Sequence, residues 1–151
     1  KCCAEIGALI GNATQAEIDG LKYYALYTGL AFQIQDDLLD IIADEKEFGK
    51  KIGGDLFEGK KTFLLLKAIE VAVDAEDKEF LHYIIENKGV KNSDEVMKVK
   101  AIYDKYCVIE AASGKVEEYT TLANEQLVNI KESDAKKMLK WFSDMLLNRT
   151  S

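Results

Sequence analysis

Apolar residues recur every three to four positions along most of the chain, the period of a helix with one buried face. The first such run, Lys1 to about Ile10, ends at Gly11 and Asn12, both suitable stop residues. Thr14 and Glu17 in "TQAE" form a capping box, predicting a long helix that reaches about Ala43. From Asp44 to Lys61 the chain is charged and carries Gly49, Gly53, Gly54 and Gly59, so it reads as an irregular loop with room for one short turn. Helical spacing returns from Thr62 to Val73, and again from Glu76 to Glu86, with Asp74 near the cap and "NKG" at the end. "NSDE" at Asn92 starts a further helix, broken near Tyr106 to Ile109 and continuing to about Ile130. Ser133 caps the last one, through "MLKWFSDMLLNR".

Short links between long helices make antiparallel neighbours, so the expected fold is an all-α antiparallel bundle forming a single helical domain over residues 1–151. The absence of proline agrees with it. A net charge of -7 argues against the basic face of a nucleic-acid binder, so any anionic ligand must be held locally, by lysines or by metal. No apolar run is long enough to span a bilayer and nothing resembles a cleavable signal, so a cytoplasmic location is expected. Cys2, Cys3 and Cys107 are odd in number and two are adjacent, so they suggest neither a disulfide framework nor a metal site, and reduced, mostly buried thiols are expected. The chain opens "KCCAEIGALI" in the middle of an apolar pattern, which predicts a piece of a longer protein.

The candidate chemistry lies in "FQIQDDLLDIIADEKEFGKKIGGDLFEGKKT", Phe32 to Thr62. At about 100° per residue, Asp36, Asp37 and Asp40 share an arc of roughly 100° with Gln33 and Asp44, while Ile34, Leu38, Ile41 and Ile42 point toward the core. Asp36 and Asp40 are one turn, about 6 Å, apart along the axis, so their oxygens can converge on one hard cation. Magnesium suits such a pair, because it takes one or two carboxylates and completes its shell with water and phosphate oxygens. Acids on a helix usually mark nothing more than a solvated face. Here no lysine four residues on relieves their repulsion, and Gly29, one turn before Gln33, leaves room beside them.

The loop that follows supplies Lys50, Lys51, Lys60 and Lys61 among glycines that let backbone approach a ligand. Lysine binds phosphate as a point charge, and a loop returning over an acidic helix would set ammonium groups beside metal-bound phosphates. The loop lacks the spacing of a nucleotide phosphate loop. "EFLH", Glu79 to His82, is half of a di-iron pattern in a chain with one histidine, so His82 is read as a surface residue. Tyr23, Tyr24, Tyr27 and Phe32 are read as core or interface, and Trp141 and Phe142 as packing anchors of the last helix.

Taken together, these residues resemble the trans-isoprenyl diphosphate synthases, the farnesyl and geranylgeranyl diphosphate synthase family. "FQIQDDLLD" looks like the second aspartate-rich motif of that family, and "GKKIGGDLFEGKKT" like the lysine loop after it. The resemblance implies the C-terminal part of the isoprenoid synthase fold, with Mg2+ as cofactor and a homodimer of the full-length protein. It implies Asp36 and Asp40 as metal ligands, Asp37 and Asp55 as supporting acids, and Gln33, Lys50 and Lys60 as contacts to the allylic diphosphate. Asp36, Asp37, Asp40 and Lys50 would carry catalysis. The implied reaction ionises an allylic diphosphate, adds isopentenyl diphosphate through its double bond, and loses a proton, with metal and lysines stabilising the departing diphosphate.

Lys51 stands where the family usually has proline, and the first aspartate-rich motif is not in this chain. The expectation is therefore a parent prenyltransferase and a fragment that alone makes no product. Two other readings share the residues: a terpene cyclase of the same fold, and a non-catalytic regulatory or partner subunit of a prenyl synthase. The "GKxxGxD" spacing followed by "GKKT" favours the synthase over the cyclase.

Overall fold

A computed structural model describes residues 1–42 and 52–147. Their elements are α1 (Cys2–Ile10), α2 (Gln15–Ile42), α3 (Gly54–Phe57), α4 (Phe63–Val71), α5 (Ala75–Glu86), α6 (Ser93–Lys105), α7 (Val108–Gln126), a 3-10 turn (Leu127–Asn129) and α8 (Asp134–Leu147). The fold is all-α, as expected. Local chemistry sets the helix starts. Thr14 and Glu17 form the reciprocal box, with the Glu17 carboxylate accepting from the Thr14 N–H at 2.8 Å and Thr14 Oγ1 from the Glu17 N–H at 3.4 Å. Thr62, Asp74, Asn92 and Ser133 each accept an N–H from the first turn of α4, α5, α6 and α8.

The described residues divide into two compact units, one of 1–35 with 114–147 and the other of 36–42 with 52–113. In the first, Tyr24, Ala123 and Leu127 form a buried cluster ringed by Tyr27, Ile130 and Leu139. Tyr24 donates its hydroxyl to the Leu139 carbonyl at 2.6 Å, and buried Ser143 donates to Asn124 Oδ1 at 2.7 Å, tying α8 to α2 and α7. The second unit is built on α4, which packs against α5 and α6. Leu64, Leu65, Leu81, Ile84, Val99, Tyr103 and Val108 are its largest fully buried side chains, together with Leu56 of α3. Burying such a leucine or isoleucine contributes about 1.5–3 kcal/mol.

Some expectations fail on exposure. All three cysteines are exposed rather than mostly buried: α1 buries only Ala8, and Cys107 sits at the α6–α7 break with φ of 53°. Trp141 and Phe142 do not anchor α8 within its unit. That helix turns Ser143 and Leu146 inward and leaves Met138, Trp141, Phe142 and Met145 exposed. Ile42 points outward where a core position was expected, while of the aromatic residues read as core or interface Tyr24 is core and Tyr23 and Phe32 are exposed. His82 is exposed, as read. Among the described residues no helix is long and apolar enough to cross a membrane.

Candidate active site

The three aspartates of "DDLLD" lie on the last two turns of α2, where the helical period sends them to different surroundings. Asp36 is exposed. Asp37, at the edge of the arc, is buried, and its Oδ2 accepts the Phe63 N–H at 3.4 Å, beside the capped start of α4. Asp40 is half-buried and turns toward α3. Its Oδ2 accepts the Asp55 N–H at 3.1 Å, and its main-chain carbonyl accepts the Gly53 N–H at 2.9 Å.

Burial pushes the Asp40 carboxyl above the ordinary carboxylate range, and the hydrogen bond from the Asp55 N–H opposes that shift. The glycine pair makes the approach of α3 possible. Gly53 holds φ of 76° in the left-handed region, where a Cβ would also lie 2.8 Å from Val96 Cγ1, and a Cβ on Gly54 would lie 3.2 Å from Asp40 Oδ1.

From α3 the chain leads directly to Lys60. Lys60 Nζ donates to Asp55 Oδ1 at 2.5 Å and lies 2.9 Å from Glu58 Oε2, while the Lys60 N–H donates to the Asp55 carbonyl at 3.0 Å. The Asp55 and then the Glu58 carboxylates hold the Lys60 ammonium well above its usual pKa. Lys60 and Lys61 are both exposed. Tyr103 of α6 is fully buried, and burial pushes its hydroxyl pKa up, with the Asp37 charge adding to the shift.

The unit therefore brings Asp36, Asp37, Asp40, Asp55 and Lys60 onto one helix end and the turn bound to it. Gln33, on α2 in the other unit, is exposed, and a Cβ on Gly29 would meet nothing within 4 Å. Lys50, Lys51 and Asp44 lie outside the described residues. Among the described residues no group of three or more His, Cys, Asp or Glu side chains converges as a ready-made metal cage. The donor set fits a cation held differently: magnesium needs only one or two carboxylates when water and phosphate oxygens complete its octahedron.

Residues the sequence did not single out support this arrangement from the α5–α6 turn. The Val90 N–H donates to the Leu56 carbonyl at 3.0 Å, and Gly89, at φ of 123°, lies against the same backbone. The "NKG" signal was legible only as a helix stop. Nothing local in it points to α3.

The sequence model of the polyprenyl synthetase family matches residues 1–106. A short chain isoprenyl diphosphate synthase of Methanothermobacter thermautotrophicus is 36% identical over 143 residues, 95% of this chain and 43% of that protein. A geranylgeranyl diphosphate synthase of Saccharolobus solfataricus is 36% identical over 151 residues, 99% of this chain and 45% of that protein. Among solved structures, geranylgeranyl pyrophosphate synthetase from Pyrococcus horikoshii superposes with a TM-score of 0.86 at 33% identity, over 97% of this chain and 43% of that one. Geranylgeranyl pyrophosphate synthase from Corynebacterium glutamicum, solved with calcium and isoprenyl diphosphate, gives 0.81 at 27% identity, over 97% of this chain and 45% of that one. The chain thus spans less than half the length of these relatives. The helical architecture, the acidic end of α2 with its lysine turn, and the family match lead to one conclusion: the chain belongs to the polyprenyl synthetase family, the trans-isoprenyl diphosphate synthases.

Proposed function

We propose that the full-length protein carrying this chain is a short-chain prenyltransferase that condenses an allylic diphosphate with isopentenyl diphosphate, and that residues 1–151 supply one side of its diphosphate site. The observation that carries this reading is the joining of the acidic helix end to the lysine turn through Asp40 and Asp55. Asp36, exposed at the acidic end of α2, is the carboxylate assigned to Mg2+, and Asp40 is tied to the backbone of α3. Magnesium, when bound, supplies Lewis-acid neutralisation of the departing diphosphate.

The chain's own groups do the rest. Lys60 offers ammonium donors to the diphosphate oxygens where charge develops, and it is the family resemblance that assigns Lys50 and Gln33 to the same group. Asp37 keeps the start of α4 in place behind them. Two further parts of the reading rest on the family: the chain is the C-terminal part of one longer synthase domain, and the full-length protein is a cytoplasmic homodimer. The chain spans under half the length of its relatives and carries one aspartate-rich motif, so we propose that alone it binds magnesium diphosphate weakly and forms no product.

Incubating the full-length protein with an allylic diphosphate, labelled isopentenyl diphosphate and Mg2+ tests the reading. Label in a longer prenyl diphosphate supports it. Ionisation of the allylic substrate without incorporation points to a cyclase, and no turnover with either substrate points to a non-catalytic subunit.

A further inference from the structure

We propose that Asp40 is a positioning residue, which sets the Lys60 ammonium in place through Asp55. The inference rests on the diphosphate reading above for what Lys60 does, but its structural content stands on its own geometry. Asp40 uses two acceptors on one short stretch of backbone: its main-chain carbonyl takes the Gly53 N–H at 2.9 Å and its Oδ2 takes the Asp55 N–H at 3.1 Å. Both glycines are shaped to this contact, Gly53 by its left-handed backbone and Gly54 by the closeness of Asp40 Oδ1. A Cβ at Gly54 would press on the Asp40 carboxylate, and one at Gly53 would meet Val96 on a backbone that L side chains rarely adopt.

Asp55 is thereby fixed at its backbone, and it fixes Lys60 twice. Its carboxylate holds the ammonium at 2.5 Å and its carbonyl accepts the Lys60 N–H at 3.0 Å. Position passes from Asp40 to the Asp55 backbone, then from the Asp55 side chain to Lys60, each step a hydrogen bond. Lys60 is exposed on a flexible stem, so without the Asp55 carboxylate its ammonium would be held only by the exposed Glu58 carboxylate 2.9 Å away. An acceptor at residue 40, rather than a negative charge there, is what the backbone N–H needs. Asparagine supplies the same acceptor in nearly the same shape.

That difference separates positioning from metal ligation. In the full-length protein, Asp40→Ala should lose about tenfold or more in kcat/KM for the allylic diphosphate, and Asp40→Asn should lose several-fold less than Asp40→Ala. The Mg2+ concentration for half-maximal rate should be unchanged in Asp40→Asn. Lys60→Ala should reproduce the Asp40→Ala loss, and the double variant should be no worse than Lys60→Ala, since two residues acting through one another are not additive. Amide hydrogen exchange gives a readout independent of turnover: the Gly53 and Asp55 amides should exchange faster in Asp40→Ala and stay protected in Asp40→Asn.

An Asp40→Asn variant as damaged as Asp40→Ala, with a raised Mg2+ requirement, would overturn the proposal in favour of direct metal binding. Additive losses in the double variant would overturn the path through Lys60. A wild-type protein that shows the protected amides yet turns over neither substrate would refute the prenyltransferase reading and the role of Lys60, while leaving the Asp40 contact itself in place.

Discussion

Gly89 and Leu56 meet backbone to backbone: a Cβ on Gly89 would lie 2.6 Å from the Leu56 carbonyl oxygen. That carbonyl also accepts the Val90 N–H at 3.0 Å, so the α5–α6 turn and α3 form one packed piece. Gly89 combines this crowding with φ of 123°, a region L side chains rarely adopt. Gly89→Ala is expected to destabilise the chain by about 1–3 kcal/mol, since the strain and the clash cannot both relax. Urea denaturation measures the loss, and wild-type stability in this variant would show that the turn does not clamp α3.

The cap and core of the second unit give two costs of different size. Asn92 Oδ1 accepts the Glu95 N–H at 2.9 Å, so Asn92→Ala should cost about 1 kcal/mol. Leu65, 1% exposed on α4, should cost about 2–5 kcal/mol as Leu65→Ala, because the cavity adds to the lost transfer energy. Denaturant midpoints at constant slope check both. Equal losses would mean that Leu65 is not in a packed core.

Acid should unfold the protein in part through Asp77. Its Oδ2 accepts from Lys105 Nζ at 2.6 Å and from the Tyr106 hydroxyl at 2.9 Å, and these, the lysine first, hold its carboxyl below the usual range. A depressed native pKa stabilises the fold above the unfolded value, about 3.9 for aspartate, and that stability is lost as pH falls through the native value. Wild type should therefore exceed Asp77→Asn in stability at pH 5 to 7, by an amount on the order of that of a surface pair, with the gap closing in stronger acid. Thermal melts of both proteins across pH give the comparison. A gap that widened in acid would contradict the assignment.

The helix starts were legible in the sequence because capping is local. Thr14 with Glu17, Thr62, Asp74, Asn92 and Ser133 act within three residues of themselves. The arc of aspartates was legible as geometry but not as environment. Periodicity gives the direction of Asp37 and Asp40 from α2, yet the Phe63 and Asp55 N–H groups that meet them arrive through tertiary packing. Trp141, Phe142 and the cysteines show the same limit: their residue types suggest burial, and only the neighbours decide it.

In the proposed function, Asp36 and the lysine turn hold a diphosphate through magnesium. Calorimetric titration of the full-length protein with an allylic diphosphate, with Mg2+ and then with EDTA, tests it most directly. Binding should weaken about tenfold or more when Mg2+ is removed, and by a comparable factor in Asp36→Asn with Mg2+ present. Affinity that is unchanged by EDTA, or by Asp36→Asn, would contradict it.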